Sequence, residues 1–177
     1  MKFGYSISVV VGMASSVGVA GSVLDISGMQ SWGFDGDLQN ETMVFDVPHN
    51  GFGVILGIHY DITIETIGNS WLDEVNIRFG NSDGTFDGSW PDTFRPGAGV
   101  SFSGIQRFTG FFMTDFHLNP DSEVHISLFE SGFDDNFELP DAILLSGSTI
   151  RLQFFVPAPG TSALLGLGML GVARRRR

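Results

Sequence analysis

The stretch IHYDITIE, residues 58–65, decides the fold class of this chain. Apolar side chains stand at every second position, and polar side chains stand between them. Because successive side chains of a strand point to opposite faces of a sheet, this alternation gives one apolar and one polar face. A helix would instead need apolar positions three or four residues apart. The stretch therefore predicts a β-strand with one buried face.

The same two-residue period recurs along the middle of the chain. Alternation is clear over residues 75–79, 123–128 and 150–154, and further strands are predicted at 42–47, 100–105, 107–113 and 142–145. Clusters of Gly, Asn, Asp, Pro and Ser separate these runs, as expected of tight turns. About eight short strands with such turns predict an all-β fold, an antiparallel β-sandwich with the jelly roll as the expected variant. Seventeen phenylalanines supply large side chains to fill the space between two sheets.

Composition limits the classes of function. The 177 residues suffice for one domain, and the absence of cysteine excludes disulfides and thiolate metal sites. Only four arginines lie between Lys2 and the C-terminal arginines, against all twenty acidic residues, so this middle part carries a charge of −16. Such an acidic surface repels phosphate backbones, and nucleic-acid binding is excluded. The acidity favours solubility outside the cell, with divalent-cation binding as the alternative.

The N-terminus has the three-part layout of a secretory signal peptide. Lys2 precedes an apolar stretch that runs from Tyr5 to about Val19, and Gly18 and Ala20 have the spacing that signal peptidase prefers. Residues 1–20 are therefore predicted to be a signal peptide that forms a helix and is cut after Ala20. The alternative is an N-terminal strand or buried helix. The exported β-domain is expected to span residues 21–155.

The C-terminal stretch VPAPGTSALLGLGMLGVARRRR, residues 156–177, has a different character. An extended Pro-x-Pro motif opens it, comprising Val156, Pro157, Ala158, Pro159, Gly160 and Thr161. A predicted transmembrane helix follows, with Ala163, Leu164, Leu165, Leu167, Met169, Leu170 and Val172 as its apolar residues. A basic tail of Arg174, Arg175, Arg176 and Arg177 ends the chain and is expected on the cytoplasmic side of the inner membrane.

The apolar segment is short for a permanent anchor. Its thirteen residues from Thr161 to Ala173 form about 20 Å of helix, whereas a bilayer core is about 30 Å thick. The segment also matches the dinucleotide-binding pattern G-x-G-x-x-G at Gly166, Gly168 and Gly171. No crossover helix or distal acid can follow there, so the match is spurious. We therefore expect a transient membrane intermediate.

This order of Pro-x-Pro-Gly-Thr, short apolar helix and arginine cluster resembles the PEP-CTERM sorting signal of Gram-negative bacteria. Ala158 stands where that family most often has glutamate, while Pro157 and Pro159 are retained. The resemblance implies processing near these residues by exosortase, a membrane-embedded transpeptidase, after signal peptidase has acted. It also implies delivery to the cell surface or extracellular matrix, where extracellular polysaccharide is a candidate partner.

Candidate ligand sites in the middle are less specific. Asn81, Asp83 and Asp87 alternate with other residues in a glycine-containing loop that offers oxygen ligands for Ca²⁺, although the EF-hand order is missing. Trp90 lies in a predicted loop where an exposed ring would stack on sugars, whereas Trp71 is expected in the core.

The sequence as a whole predicts a non-enzymatic surface or matrix protein without a catalytic residue set. A carbohydrate- or calcium-binding module is the alternative, and a small secreted hydrolase is a third interpretation.

Overall fold

The structure, a computed structural model, describes residues 18–47, 53–85, 88, 92–132 and 138–156, with the backbone only at 18–20, 155 and 156. Regular structure in these residues is entirely β-strand. The strands are β1 (Gly18–Asp25), β2 (Gln30–Ser31), β3 (Thr42–Asp46), β4 (Val54–Thr66), β5 (Val75–Gly80), β6 (Thr93–Phe94), β7 (Ile105–His117), β8 (Glu123–Glu130), β9 (Ala142–Leu144) and β10 (Thr149–Val156).

The strands form two sheets, of which the larger is built around β4. One edge of β4 pairs with β10 and then with β9, and the other edge pairs with β7 along nearly its whole length. β1 adds to β10, and β2 adds to β9. The smaller sheet has the order β3-β8-β5-β6. The strand pairs whose register is known are all antiparallel.

The apolar faces of both sheets contribute to one hydrophobic core. Ile62 and Ile64 of β4 belong to the same buried cluster as Ile77 of β5 and Ile126 of β8. The ring of Phe94 on β6 completes the contact, because its centroid lies 5.0 Å from that of Tyr60 on β4 and 5.1 Å from that of Phe112 on β7. The predicted alternation of IHYDITIE is thus explained by a sheet with one buried face.

Strand order has a regular pattern once two short strands of the larger sheet, β2 and β9, are set aside. The larger sheet then reads β1-β10-β4-β7 and the smaller one β3-β8-β5-β6. When the remaining eight strands are numbered along the chain, the larger sheet has the order first-eighth-third-sixth. The smaller sheet has the order second-seventh-fourth-fifth. Neighbours within a sheet are therefore mostly distant in sequence.

The all-β prediction is confirmed, and most predicted strands lie within observed ones. The prediction of a strand over residues 100–105 is wrong. Backbone groups there bond to the end of β4 and to the loop after it instead of to a ladder. Leu72 N–H donates to Phe102 O at 3.0 Å, and Gly104 N–H donates to Thr66 Oγ1 at 2.8 Å. Gly104 also has a φ of 139°, outside the range of a strand.

The two predicted helices lie mostly outside the described residues. No helix in the described part has the length and apolar character that a membrane crossing requires. The chain divides into a unit of residues Val19–Val156 and a second unit formed by residues 1–18 and 157–177. The exported domain at residues 21–155 stays a prediction.

Candidate functional site

Strand β10 ends at Val156, which is the first residue of the predicted sorting motif. Its remaining residues, the apolar helix and the arginine tail lie outside the described residues. β10 lies between β1 and β4 and is therefore held on both edges. The pairing of β10 on both edges therefore fixes the point at which the chain leaves the sheet and enters the motif.

The two ends of the domain lie at the same end of the larger sheet. Ile26 N–H donates to Ser148 O at 3.0 Å, while a Cβ on Gly21 would lie 3.2 Å from Leu152 O. As β1 runs backward from 26 to 21, β10 runs forward from 148 to 152, so these neighbouring strands are antiparallel. Gly18 and Val156 are consequently at matching ends.

The predicted signal-peptide cleavage falls inside a strand. β1 begins at Gly18, two residues before the expected cut after Ala20. A cut at that position leaves residues 21–25 of β1, which contain the buried Leu24. The cleavage position itself stays a prediction.

The loop proposed for calcium is held together by its own side chains. Asn81 is fully buried, its Nδ2 donates to His117 O and its Oδ1 accepts Asn119 N–H, each at 3.1 Å. Asp83 Oδ1 accepts the backbone N–H and hydroxyl of Thr85 at 3.0 and 2.7 Å, and these bonds hold the pKa of Asp83 below its usual value. Asp87 lies outside the described residues.

No group of three or more His, Cys, Asp or Glu side chains that could hold a metal ion occurs in the described part of the chain. In the loop, the side chain of Asn81 connects the end of β5 to the end of β7 through hydrogen bonds. Calcium binding by Asn81, Asp83 and Asp87 stays a prediction.

Trp71 is placed differently from the expectation. Trp71 is 47% exposed, because it lies in the turn before β5 and its backbone N–H donates to Glu74 Oε2 at 2.8 Å. The expectation of a core position for Trp71 is therefore wrong. Trp90 lies outside the described residues, and sugar stacking on its ring stays a prediction.

The polar face of the larger sheet carries an ion pair between two strands that the sequence did not predict. Arg107 on β7 forms a two-point ion pair with Asp61 on β4, with Nε–Oδ1 and Nη2–Oδ2 distances of 2.7 and 2.6 Å. Hydrogen bonding to this guanidinium lowers the pKa of Asp61. Beside the pair, the ring of Phe111 lies 4.4 Å from the imidazole of His59.

A shallow depression of about 350 Å³ adjoins this pair and includes Arg151 in its lining. Its hydrogen-bonding groups could contact a polyol, and binding of extracellular polysaccharide stays a prediction. The polar positions of β4 were visible in the sequence. Their pairing with β7 was not visible, because the register of two strands whose paired residues lie 46 positions apart cannot be read from alternation.

Residues 155–177 match the PEP-CTERM protein-sorting motif. The resemblance of the C-terminal stretch is thereby confirmed. The motif marks an extracellular protein that is sorted through membrane-associated exosortase. No curated protein and no solved structure matches the chain significantly, so the comparisons describe its C-terminal end alone.

Proposed function

We propose that the chain is a non-enzymatic protein of the bacterial cell surface or extracellular matrix. The observation that carries this proposal is the sorting motif at residues 155–177, which starts where β10 ends. A sorting signal directly after the last strand leaves the whole folded domain on the side that is exported. The support for a non-enzymatic character is the setting of Ser82. It matches the spacing G-x-S-x-G, but it lies in a turn after β5 with its hydroxyl donating to Asp121, and no helix follows in residues 82–85 as that motif requires.

The proposed cargo is a β-sandwich of jelly-roll type. Two sheets share one core, and the eight-strand order is the one that two interleaved Greek keys produce. Central strands β4, β5 and β8 lie far in sequence from both processing junctions. Removal of the two terminal segments therefore leaves the core residues in place.

In the proposed route of export and processing, each terminal segment acts at one step. The signal peptide starts export, and the short C-terminal helix then stops in the inner membrane with its arginines on the cytoplasmic side. Exosortase cuts near Pro157 and Pro159 and releases the domain outward. A thirteen-residue apolar segment suits a transient intermediate because it is about 10 Å too short for a bilayer core.

Deleting the exosortase gene of the producing strain tests this route. We expect the intact chain to accumulate in the inner-membrane fraction while the surface and medium lose it. A chain that ends after Val156 is the matched control, and it should leave the inner membrane in both strains because it has no apolar helix. An unchanged distribution of the full chain after the deletion would refute exosortase sorting.

A further inference from the structure

Three neighbouring strands of the larger sheet align their solvent-facing side chains in rows. Register places Arg151 of β10 opposite His59 of β4, and it places His59 opposite Phe111 of β7. The next row along the strands consists of Thr149, Asp61 and Thr109. Directly opposed residues of antiparallel strands point to the same face, so each row is a line of adjacent side chains. At about 4.8 Å per strand, the Arg151-His59-Phe111 row spans roughly 10 Å.

At one end of this row, the ring of Phe111 lies across the backbone of β4. A Cβ on Gly57 would lie 2.6 Å from Cε2 and 3.0 Å from Cζ of Phe111, so only glycine leaves room for the ring there. The imidazole of His59 packs beside the ring, and its Nε2 is hydrogen-bonded to the amide of Gln153 at 2.7 Å. Phe111 is nevertheless 47% exposed. The ring therefore covers the sheet with one face and presents the other to solvent.

At the other end of the row, Arg151 is an exposed cation without an ion pair among the described residues. Arg78 and Arg107 have acidic partners, whereas Arg95 and Arg151 form no ion pair in that part of the chain. Arg95 lies in the loop after β6, but Arg151 lines the depression beside the row. The carboxylate that lines the same depression, Asp61, is already neutralised by Arg107. The depression thus has a surplus positive charge in a part of the chain that carries −16.

The chemistry of the row selects the class of ligand. A sugar ring has an apolar C–H face that packs on an exposed aromatic ring, and hydroxyl groups that bond to neutral side chains such as Thr109 and Thr149. A carboxylate on the sugar supplies the partner that Arg151 lacks, because a guanidinium binds a carboxylate through two parallel hydrogen bonds. A neutral sugar would leave this cation unpaired.

We propose that the Arg151-His59-Phe111 row binds an acidic polysaccharide built of uronic acid units. One sugar ring stacks on Phe111, and the carboxylate of a linked unit pairs with Arg151 across the width of β4. The depression beside the row takes up the hydroxyl groups that point along the strands. The proposal does not depend on how the protein is sorted, since it uses only the folded domain.

Calorimetric titration of the full chain in detergent tests the charge requirement. The probes are tetrasaccharides of galacturonate, glucuronate, mannuronate and guluronate, with EDTA present so that calcium cannot bridge sugar and protein. We expect at least one to bind, and its methyl ester to bind at least about tenfold more weakly because esterification removes the charge that Arg151 meets. Arg151→Gln should cause a similar loss. Arg95→Gln removes the other arginine without an ion pair in the described residues and is the matched control.

Two further variants test the stacking ring. Phe111→Ala should weaken binding at least about tenfold, whereas Phe102→Ala, which removes a ring that is 51% exposed in the loop before β7, should leave it unchanged. Gly57→Ala keeps Phe111 but displaces its ring, and it should weaken binding while the domain stays folded, since the new Cβ meets only side-chain atoms.

Three results would overturn the proposal. None of the four oligomers binds at millimolar concentration, or the methyl ester binds as tightly as the free acid. In the third, Arg95→Gln or Phe102→Ala lowers the affinity as much as Arg151→Gln or Phe111→Ala does.

Discussion

Replacing both Pro157 and Pro159 with alanine should leave most of the protein in its unprocessed form. Each proline fixes its own φ and biases the preceding residue toward an extended backbone, which is the form in which a processing enzyme binds a chain. Alanine restores conformational freedom worth about 0.4–1 kcal/mol per position, and 1.4 kcal/mol corresponds to a factor of ten in rate. We expect the ratio of processed to unprocessed protein to fall about tenfold or more, counting lost contacts with the enzyme.

Pro120→Ala is the matched control for this experiment. Pro120 is exposed in the turn between β7 and β8, away from the C-terminal segment in sequence, so its replacement should leave processing unchanged. The two forms are distinguished by intact mass and by their share of the inner-membrane fraction. Normal processing of the double variant would show that Pro-Ala-Pro is not the recognised element.

Replacing Ile126 with alanine should lower the free energy of unfolding by about 2–5 kcal/mol. Ile126 is fully buried on β8, which lies between β3 and β5 in the smaller sheet. Its side chain belongs to the core shared by both sheets, so truncation removes apolar contacts and leaves a cavity that neighbouring strands cannot fill. Urea denaturation of the processed protein, followed by tryptophan fluorescence, measures the loss.

Val44→Ala is the control on the neighbouring strand. Val44 lies on β3 with 52% of its surface exposed, and its truncation should change stability by no more than about 0.5 kcal/mol. If the two variants lost equal stability, the assignment of Ile126 to a common core would be wrong.

Alternation predicted the strands that have one face in the core and one face in solvent. Residues 58–65 of β4 are the best example, and β5, β8 and β10 follow the same rule. Residues 100–105 were assigned wrongly because alternation of Ser and Gly with apolar residues also suits a loop whose polar groups bond inward. Ser103 Oγ, for example, donates to Ser70 O at 2.6 Å.

Strands β1, β2 and β6 were missed for different reasons. β2 and β6 have two residues each, too short for any period to show. β1 overlaps the predicted signal peptide, where small and apolar residues suit both export and a strand. Pairing partners and strand order depend on contacts between distant residues, so alternation within one strand does not contain them.

The sorting signal was accessible from sequence because its parts are consecutive. The proline pair, the apolar segment and the arginines follow one another in the chain, so the motif can be identified without knowing any tertiary contact. The ion pair of Arg107 with Asp61 depends instead on the register of two strands. Trp71 was misplaced because a large aromatic side chain next to a predicted strand suits the core, while the structure places it in the turn before β5.

The mass of the mature protein's C-terminal peptide tests the central claim most directly. Protein collected from the cell surface or medium is digested, and its last peptide is identified by mass spectrometry. Sorting by exosortase predicts a chain that ends near residues 157–159, whether free or joined to another group, without Arg174–Arg177. Mature extracellular protein that retains the apolar segment and all four terminal arginines would contradict the account.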